Sequence, residues 1–206
     1  MTHQTSAFPA PFTYRIYPVF SLLFALLLSA CTTTPLTSAP LETTLFKLAA
    51  LAPRPVHLVA EAAEGSLRVG HQYLLLAIPF GSIELTDPVR SLERAAFTEL
   101  ALAGVRPVIG PTGDGLPRFV VRVKDIGVSA YDLIVTRRVT ATVTLEASLP
   151  SKGGSAPTLI ETTSTHGSYE RFGFAPQLSA ALDEALHGAV RDAVLALQTS
   201  DGFRYH

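Results

Sequence analysis

The clearest hydrophobic pattern in the chain is an alternation that runs from Tyr131 to Leu149. Apolar side chains hold most odd-numbered positions, and threonine or charged side chains hold most even-numbered ones. A period of two predicts a β-strand with one buried and one wet face. Ile134 and Arg137 interrupt the alternation, which predicts a bulge near them.

A shorter alternation precedes it over Arg118–Ile126. Phe119, Val121 and Val123 lie at odd positions and the three basic residues at even ones, so that the two sets point to opposite faces of a strand. The segment Gly127–Ala130 between the two strands predicts a hairpin turn, with Asp125 and Asp132 as its flanking polar residues. The two strands therefore pair, and their wet faces coincide.

Other segments add strands to this pair. Tyr73–Phe80 is a short, continuous apolar run, which is typical of a central strand buried on both faces. Val105–Ile109 and roughly Thr158–Tyr169 are predicted as two more strands, and Val56–Ala62 could form another.

Two segments carry the periodicity of amphipathic helices. Pro88–Ala103 has an apolar stripe, with Asp87 as a good N-cap, proline at the first helical position and Gly104 as a C-terminal stop. Gln177–Leu197 carries a regular stripe of leucine and valine. Leu41–Ala52 shows a shorter helical pattern. These elements predict an α+β fold, a two-layer sandwich in which two long helices cover one face of a mixed, mostly antiparallel sheet of four to five strands.

The N-terminal segment predicts targeting. The apolar run Val19–Leu28 is shorter than the roughly 20 residues that a membrane-spanning helix needs, and it ends in Leu28-Ser29-Ala30-Cys31. Ser29-Ala30 would also suit the cleavage site of an ordinary secretory signal. A cysteine directly after the small residues, with leucine three positions before it, resembles a bacterial lipobox, whose cysteine is linked to diacylglycerol before cleavage.

The lipobox divides the chain into three parts. Residues 1–30 are predicted to be a lipoprotein signal peptide, residues 31–52 the lipidated cysteine and a tether, and residues 53–206 a single periplasmic domain. Thr32–Pro40 is rich in Thr, Ser, Pro and Ala, which is typical of an extended tether. Thr32 stands where lipoproteins retained at the inner membrane carry aspartate, so the resemblance implies the periplasmic face of the outer membrane.

Composition restricts the chemistry. The net charge is −1 at pH 7, which gives no general attraction to nucleic acid. Cys31 is the single cysteine, so its lipidation leaves no disulfide or thiolate metal site. The sequence contains no H-E-x-x-H, G-x-S-x-G or P-loop motif, and its histidines are isolated. We therefore predict a protein without catalytic residues, metal or cofactor.

One group of residues forms a candidate binding site on the wet face of the predicted hairpin. Its basic members lie among threonines and could contact an anionic lipid, peptidoglycan or an acidic envelope protein. Charges and threonines also solvate an exposed sheet face and discourage edge pairing, and this alternative stays open. The candidate residues are Arg118, Arg122, Lys124 and Arg138.

The order of elements over about residues 71–198, together with the lipobox, resembles small α/β lipoproteins of bacterial envelopes, namely YajG-type lipoproteins and the lipopolysaccharide-assembly lipoprotein LptE. The glycine-aromatic pair that usually follows the LptE cysteine is replaced here by Thr32-Thr33. The resemblance implies a lipid-anchored, non-enzymatic binding or assembly component of the cell envelope. The alternative is an accessory lipoprotein of an envelope machine that transports or handles lipid or lipopolysaccharide.

Overall fold

A computed structural model describes residues 32–37, 52, 54–62, 65–74, 78–111, 115–133, 136–149, 157–171 and 176–199. The predicted signal peptide, Cys31 and all of the Leu41–Ala52 pattern except its last residue lie outside the described residues. The described elements, in chain order, are β1 (Thr32–Leu36), β2 (Arg54–Glu61), β3 (Leu67–Leu74), β4 (Ile78–Leu85), α1 (Pro88–Leu102), β5 (Val105–Val108), β6 (Arg118–Asp132), β7 (Thr136–Leu149), β8 (Thr158–Arg171) and α2 (Pro176–Thr199).

The sheet is organised around the long strand β6. One side of β6 pairs antiparallel with β7 along most of its length, and β7 pairs antiparallel with β8. The other side is shared: Arg118–Arg122 pairs in parallel with β2, and Val128–Asp132 pairs in parallel with β3. Strand β5 extends the β2 branch, while β4 and then β1 extend the β3 branch. The sheet therefore forks, and a bulge between Val123 and Asp125 lies at the fork.

Helix α1 forms where its capping residues predict it. The Oδ1 of Asp87 accepts a hydrogen bond from the Arg90 amide at 3.0 Å, and Gly104 just beyond the helix adopts a φ of +75°. Helix α1 contacts β2 and β5, α2 contacts β7 and β8, and the two helices contact each other. Of the helices in the described residues, neither is long and apolar enough to cross a membrane.

The core lies between the helices and the inward face of the sheet. The alternation in β7 is confirmed there, because its odd-numbered residues from Val139 to Ala147 are fully buried. Phe119 and Val121 of β6 are also fully buried. On the helical side, Ala189 and Val190 of α2 are equally inaccessible to water. Burial of this apolar surface is the main force that holds helices and sheet together.

The predicted fold class is confirmed in its broad form, a mixed sheet with two helices. The predicted count of four to five strands is wrong, since the described residues contain eight. Strands Leu67–Leu74 and Thr32–Leu36 account for much of the difference. Leu67–Leu74 contains arginine, glycine, histidine and glutamine and lacks a clean alternation, so a periodicity argument misses it.

Two predicted strands are divided differently. The run Tyr73–Phe80 holds the end of β3 and the start of β4, which pair with each other as a hairpin, so it is not one central strand. The predicted turn Gly127–Ala130 lies inside β6, and the chain reverses after Asp132 instead. There the Leu133 amide donates a hydrogen bond to the Thr136 carbonyl oxygen at 2.8 Å.

The predicted tether also needs correction. Thr32–Leu36 is extended, but it is a strand of the sheet, paired in parallel with residues 81–85 of β4. Leu36 is only 1% exposed and belongs to the core. The Thr86 amide donates a hydrogen bond to the Leu36 carbonyl oxygen at 3.2 Å, which continues the pairing beyond the strand. These first residues after Cys31 are therefore part of the folded domain.

Candidate functional site: the open face of the sheet

The face of β6, β7 and β8 opposite the helices carries the candidate residues, and we call it the open face. In β7 the even-numbered residues point to it, and in β8 the odd-numbered ones do, because side chains alternate along a strand. These residues are half-buried or exposed, whereas their neighbours in β7 are fully buried. The backbone of the open face is therefore held by strand pairing, while its side chains are accessible to solvent.

One end of the open face holds a charge ladder formed by Glu61, Arg122, Lys124, Glu146 and Glu161. Arg122 donates to Glu61 from Nε at 2.9 Å and from Nη2 at 2.6 Å, and its Nη1 lies 3.7 Å from Glu146. The Nζ of Lys124 lies 2.9 Å from Glu161 and 3.3 Å from Glu146. The ladder crosses four strands, since Glu61, Arg122, Glu146 and Glu161 are neighbours in the pairing.

The charge ladder is exposed, so water and salt screen it. Its hydrogen bonds to Glu61 raise the pKa of Arg122, and those to Glu161 and Glu146 raise the pKa of Lys124. Both cations therefore stay charged in the ordinary pH range. With three carboxylates against two cations, the ladder has a local excess of negative charge.

The other end of the open face holds an aromatic row formed by Tyr73, Tyr131, Arg138 and Tyr169. These residues are neighbours in the pairing across β3, β6, β7 and β8. The rings of Tyr73 and Tyr131 are stacked, with centroids 4.9 Å apart and planes inclined by 14°. The guanidinium carbon of Arg138 lies 5.4 Å from the centre of the Tyr169 ring, a cation–π geometry. Tyr169 is 70% exposed, so the row presents both aromatic surface and a cation to solvent.

A threonine band separates the two ends. The hydroxyls of Thr142 and Thr165 lie 3.1 Å apart, and those of Thr144 and Thr163 lie 3.0 Å apart. Each pair is directly opposite in the β7–β8 pairing. Such cross-strand pairs stabilise a sheet modestly and leave a polar surface between the ladder and the aromatic row.

The structure places the four predicted site residues on this face but does not bring them together. Arg118 is exposed at the first position of β6, and Arg122 and Lys124 lie in the charge ladder. Arg138 belongs to the aromatic row, eight residues from Glu146 along β7, or about 27 Å. The predicted basic strip is thus divided between two ends, and two of its cations have carboxylate partners.

Sequence reasoning misses the aromatic row. The alternation predicts Tyr131 among the buried odd-numbered residues of a single strand, whereas it lies near the end of β6 on the open face and is half-buried. The apolar run predicts Tyr73 in a strand buried on both faces, whereas it stacks on Tyr131 through a parallel pairing distant in sequence. Alternation along β8 predicts that Tyr169 is exposed, but no residue near it in the sequence indicates that Arg138 is its neighbour in the sheet.

A second polar cluster lies between the helices, and sequence reasoning misses it too. Glu99 of α1 is 5% exposed and contacts two residues of α2. His187 Nδ1 lies 2.9 Å from one Glu99 oxygen, and Arg191 donates from Nε at 3.0 Å and from Nη2 at 3.1 Å. Burial alone would raise the pKa of Glu99, but the hydrogen bonds from His187 and Arg191 and their charges lower it below its usual value.

The Glu99 cluster is structural in character. His187 is partly buried, and its contact with Glu99 joins α1 to α2. A cleft of about 350 Å³ opens beside the cluster. It is lined by Glu99, Leu102, Ala103, Arg191, Val194, Leu195 and Gln198.

No family model matches this sequence, and no curated protein matches it. Its fold is similar to a structure described only as that of an uncharacterized protein, with 10% sequence identity, coverage of 81% of this chain and 99% of that chain, and a TM-score of 0.47. It is also similar to protein XCC0632 from Xanthomonas campestris, of the DUF330 family, with 14% identity, coverage of 80% and 92%, and a TM-score of 0.42. No function is transferred from either structure.

Proposed function

We propose that this protein is a lipoprotein of the bacterial cell envelope, anchored through Cys31 in the periplasmic face of the outer membrane. It acts by binding an envelope partner, without catalysis. Its domain is a two-layer sandwich that covers one face of the sheet with helices and leaves the open face for the partner. The lipid anchor then contributes to the function, because it holds the binding surface at the membrane.

The position of β1 is the observation that carries this proposal. Thr32 is the residue directly after Cys31, and it already pairs with Gly81 in the sheet. Because consecutive Cα atoms are about 3.8 Å apart, a lipid on Cys31 attaches to the folded domain without a flexible spacer. A diacylglycerol anchor supplies two chains, which is enough for stable membrane attachment.

The charge ladder and the threonine band of the open face support a protein partner better than an anionic lipid or a peptidoglycan strand. Arg122 and Lys124, two of the predicted anion-binding residues, already have carboxylate partners. Beside them, the threonine band presents paired hydroxyls that a polar protein surface can meet. We expect the partner to carry polar groups opposite the threonine band and basic groups opposite the charge ladder.

The alternative function, an accessory lipoprotein that handles lipid, calls for a deep apolar groove between sheet and helices. Among the described residues that space is filled by fully buried side chains such as Phe119, Leu145 and Leu186. The cleft beside Glu99 opens at the surface between the helices and contains a charged pair. The geometry therefore favours partner binding over lipid carriage.

The anchor is tested by substituting the cysteine. Membranes from cells that produce the wild-type protein should retain it through washes with high salt, whereas the Cys31→Ala variant should appear in the periplasmic fraction or stay as an uncleaved precursor. A Cys31→Ala variant that is processed and stays on the membrane like the wild type would contradict the anchor.

The binding surface is tested by photocrosslinking in intact cells. A photoreactive residue at Thr163, in the exposed threonine band, should capture one defined envelope protein. A matched probe at Leu195 of α2, which is 52% exposed on the helical side, should not capture it. Capture of the same protein from both positions, or from Leu195 alone, would contradict the assignment of the open face.

A further inference from the structure

The strand ends at one side of the sheet form a continuous line that includes the start of β1. Thr32 pairs with Gly81, Gly81 with Gln72, and Gln72 with Ala130. The next residue along both β3 and β6 brings Tyr73 opposite Tyr131. The first residue of β1 therefore lies at the end of the sheet that carries the aromatic row.

The distances along this line are short. Strand β1 is two strands from β3, so Thr32 and Tyr73 are about 10 Å apart across the sheet. Arg138 and Tyr169 continue the same line into β7 and β8. Ile78, which pairs with Leu74 at the same end, is 56% exposed. Aromatic, apolar and cationic side chains thus lie along the end of the sheet at which β1 begins, with Arg138 and Tyr169 about 19 and 24 Å from Thr32 across the strands.

This combination has the chemistry of a bilayer interface. Tyrosine places an apolar ring and a polar hydroxyl at the boundary between headgroups and acyl chains, and arginine pairs with lipid phosphates. The opposite end of the same face is the charge ladder, where carboxylates outnumber their cations. An anionic membrane surface attracts Arg138 of the aromatic row and repels the excess carboxylates of the charge ladder.

We infer that the aromatic row is the surface by which the domain lies on the bilayer, so that the charge ladder points away from the membrane. The inference rests on the proposed anchor at Cys31 and adds the orientation of the domain. Because β1 begins directly after Cys31, the end of the sheet at which β1 starts stays close to the membrane. Among the orientations that this allows, the aromatic row favours the one in which the row contacts the bilayer.

Tryptophan fluorescence tests this orientation directly, because the natural chain contains no tryptophan. Tyr169→Trp reports on the aromatic row, and Leu159→Trp is its matched control. Both positions lie on the open face of β8, and they are 70% and 61% exposed. They occupy opposite ends of the strand, ten residues apart, which is about 34 Å. The full-length lipoprotein is reconstituted into vesicles of brominated phosphatidylcholine with a minor fraction of phosphatidylglycerol.

The Tyr169→Trp protein should lose most of its emission in brominated vesicles relative to unbrominated ones and shift to shorter wavelength. The Leu159→Trp protein should keep its emission. Equal quenching at both positions, or quenching in the Leu159→Trp protein alone, would overturn the inferred orientation.

Flotation of the same vesicles separates the two proposals. If the Tyr169→Trp protein floats with the vesicles but its tryptophan is not quenched, the orientation is overturned and the anchor stands. Wild-type protein that does not float overturns the anchor and with it the orientation.

Discussion

The two ends of the open face differ in what lies beneath them. Under the aromatic row, Asp132 and Arg137 form a bidentate ion pair on the inward face, with side chains that are 6% and 13% exposed. At the other end, the Arg122 and Glu61 side chains of the charge ladder are 55% and 42% exposed. Each end contains an ion pair, but only the Asp132–Arg137 pair is buried away from water. The end beside the predicted anchor is therefore the more firmly built one.

The largest expected effect comes from the buried pair. Arg137→Ala removes both hydrogen-bond donors and leaves the Asp132 carboxylate buried without them, which should lower the free energy of unfolding by about 3–5 kcal/mol. Urea denaturation measures this loss. A loss below about 1 kcal/mol would place this pair with ordinary surface ion pairs and remove the contrast between the two ends.

A backbone contact near the same end gives the next prediction. A Cβ atom on Gly70 would lie 1.6 Å from the carbonyl oxygen of Val128, so Gly70→Ala must push β3 away from β6. We expect a loss of about 1–3 kcal/mol in the free energy of unfolding. Gly127 lies in β6 at the fork, and a Cβ there meets nothing within 4 Å, so Gly127→Ala is the matched control. Equal losses for the two variants would contradict the close approach.

Glu99 tests whether burial sets the strength of an ion cluster. The buried Glu99 carboxylate interacts with His187 and Arg191. Glu99→Gln should therefore lower the free energy of unfolding by about 1–3 kcal/mol at pH 7. Because the pKa of Glu99 is lowered by folding, its contribution is fully present above the usual carboxyl pKa and is lost as the pH falls through the lowered value.

Unfolding measured from pH 7 downwards checks the sign of this effect. The stability difference between wild type and Glu99→Gln should shrink in the acid range, as the pH falls below the ordinary carboxyl pKa of 4.5. A difference that grows as the pH falls below 4.5 would mean that folding raises the pKa of Glu99.

The smallest effect is expected in the charge ladder. Arg122→Ala removes two exposed contacts with Glu61, and because water screens such contacts, we expect a smaller loss in the free energy of unfolding than for any of the buried groups above. This loss should decline further in high salt, since exposed charges are screened. Unfolding with and without added sodium chloride measures it. A loss as large as that of Arg137→Ala, unchanged by salt, would show that the ladder is structural.

The regular elements of this fold could be predicted because their signals are local. The Asp87 cap, the stripe of α2 and the alternation of β7 each depend on residues a few positions apart. The position of the hairpin could not be predicted, because the alternation continues across it. Its place depends on the Asp132–Arg137 pair and on the Leu133–Thr136 hydrogen bond.

The candidate site could be predicted only in part for a related reason. Alternation places Arg122 and Arg138 on the same face, which the structure reproduces. Their partners come from pairings between distant segments, Glu61 in β2 and Tyr169 in β8. The stacking of Tyr73 on Tyr131 likewise requires the parallel pairing of β3 with β6, which a periodicity argument does not supply.

The central claim is that the domain begins at a lipid-bearing Cys31 and is held at a membrane from that point. Intact-mass measurement of the protein purified from bacterial membranes tests it most directly. We predict a chain that starts at residue 31, with residues 1–30 removed and the added mass of a diacylglyceryl group, with or without a further acyl chain, on its first residue. A mature chain with an unmodified Cys31, or one that starts at another residue, would contradict the account.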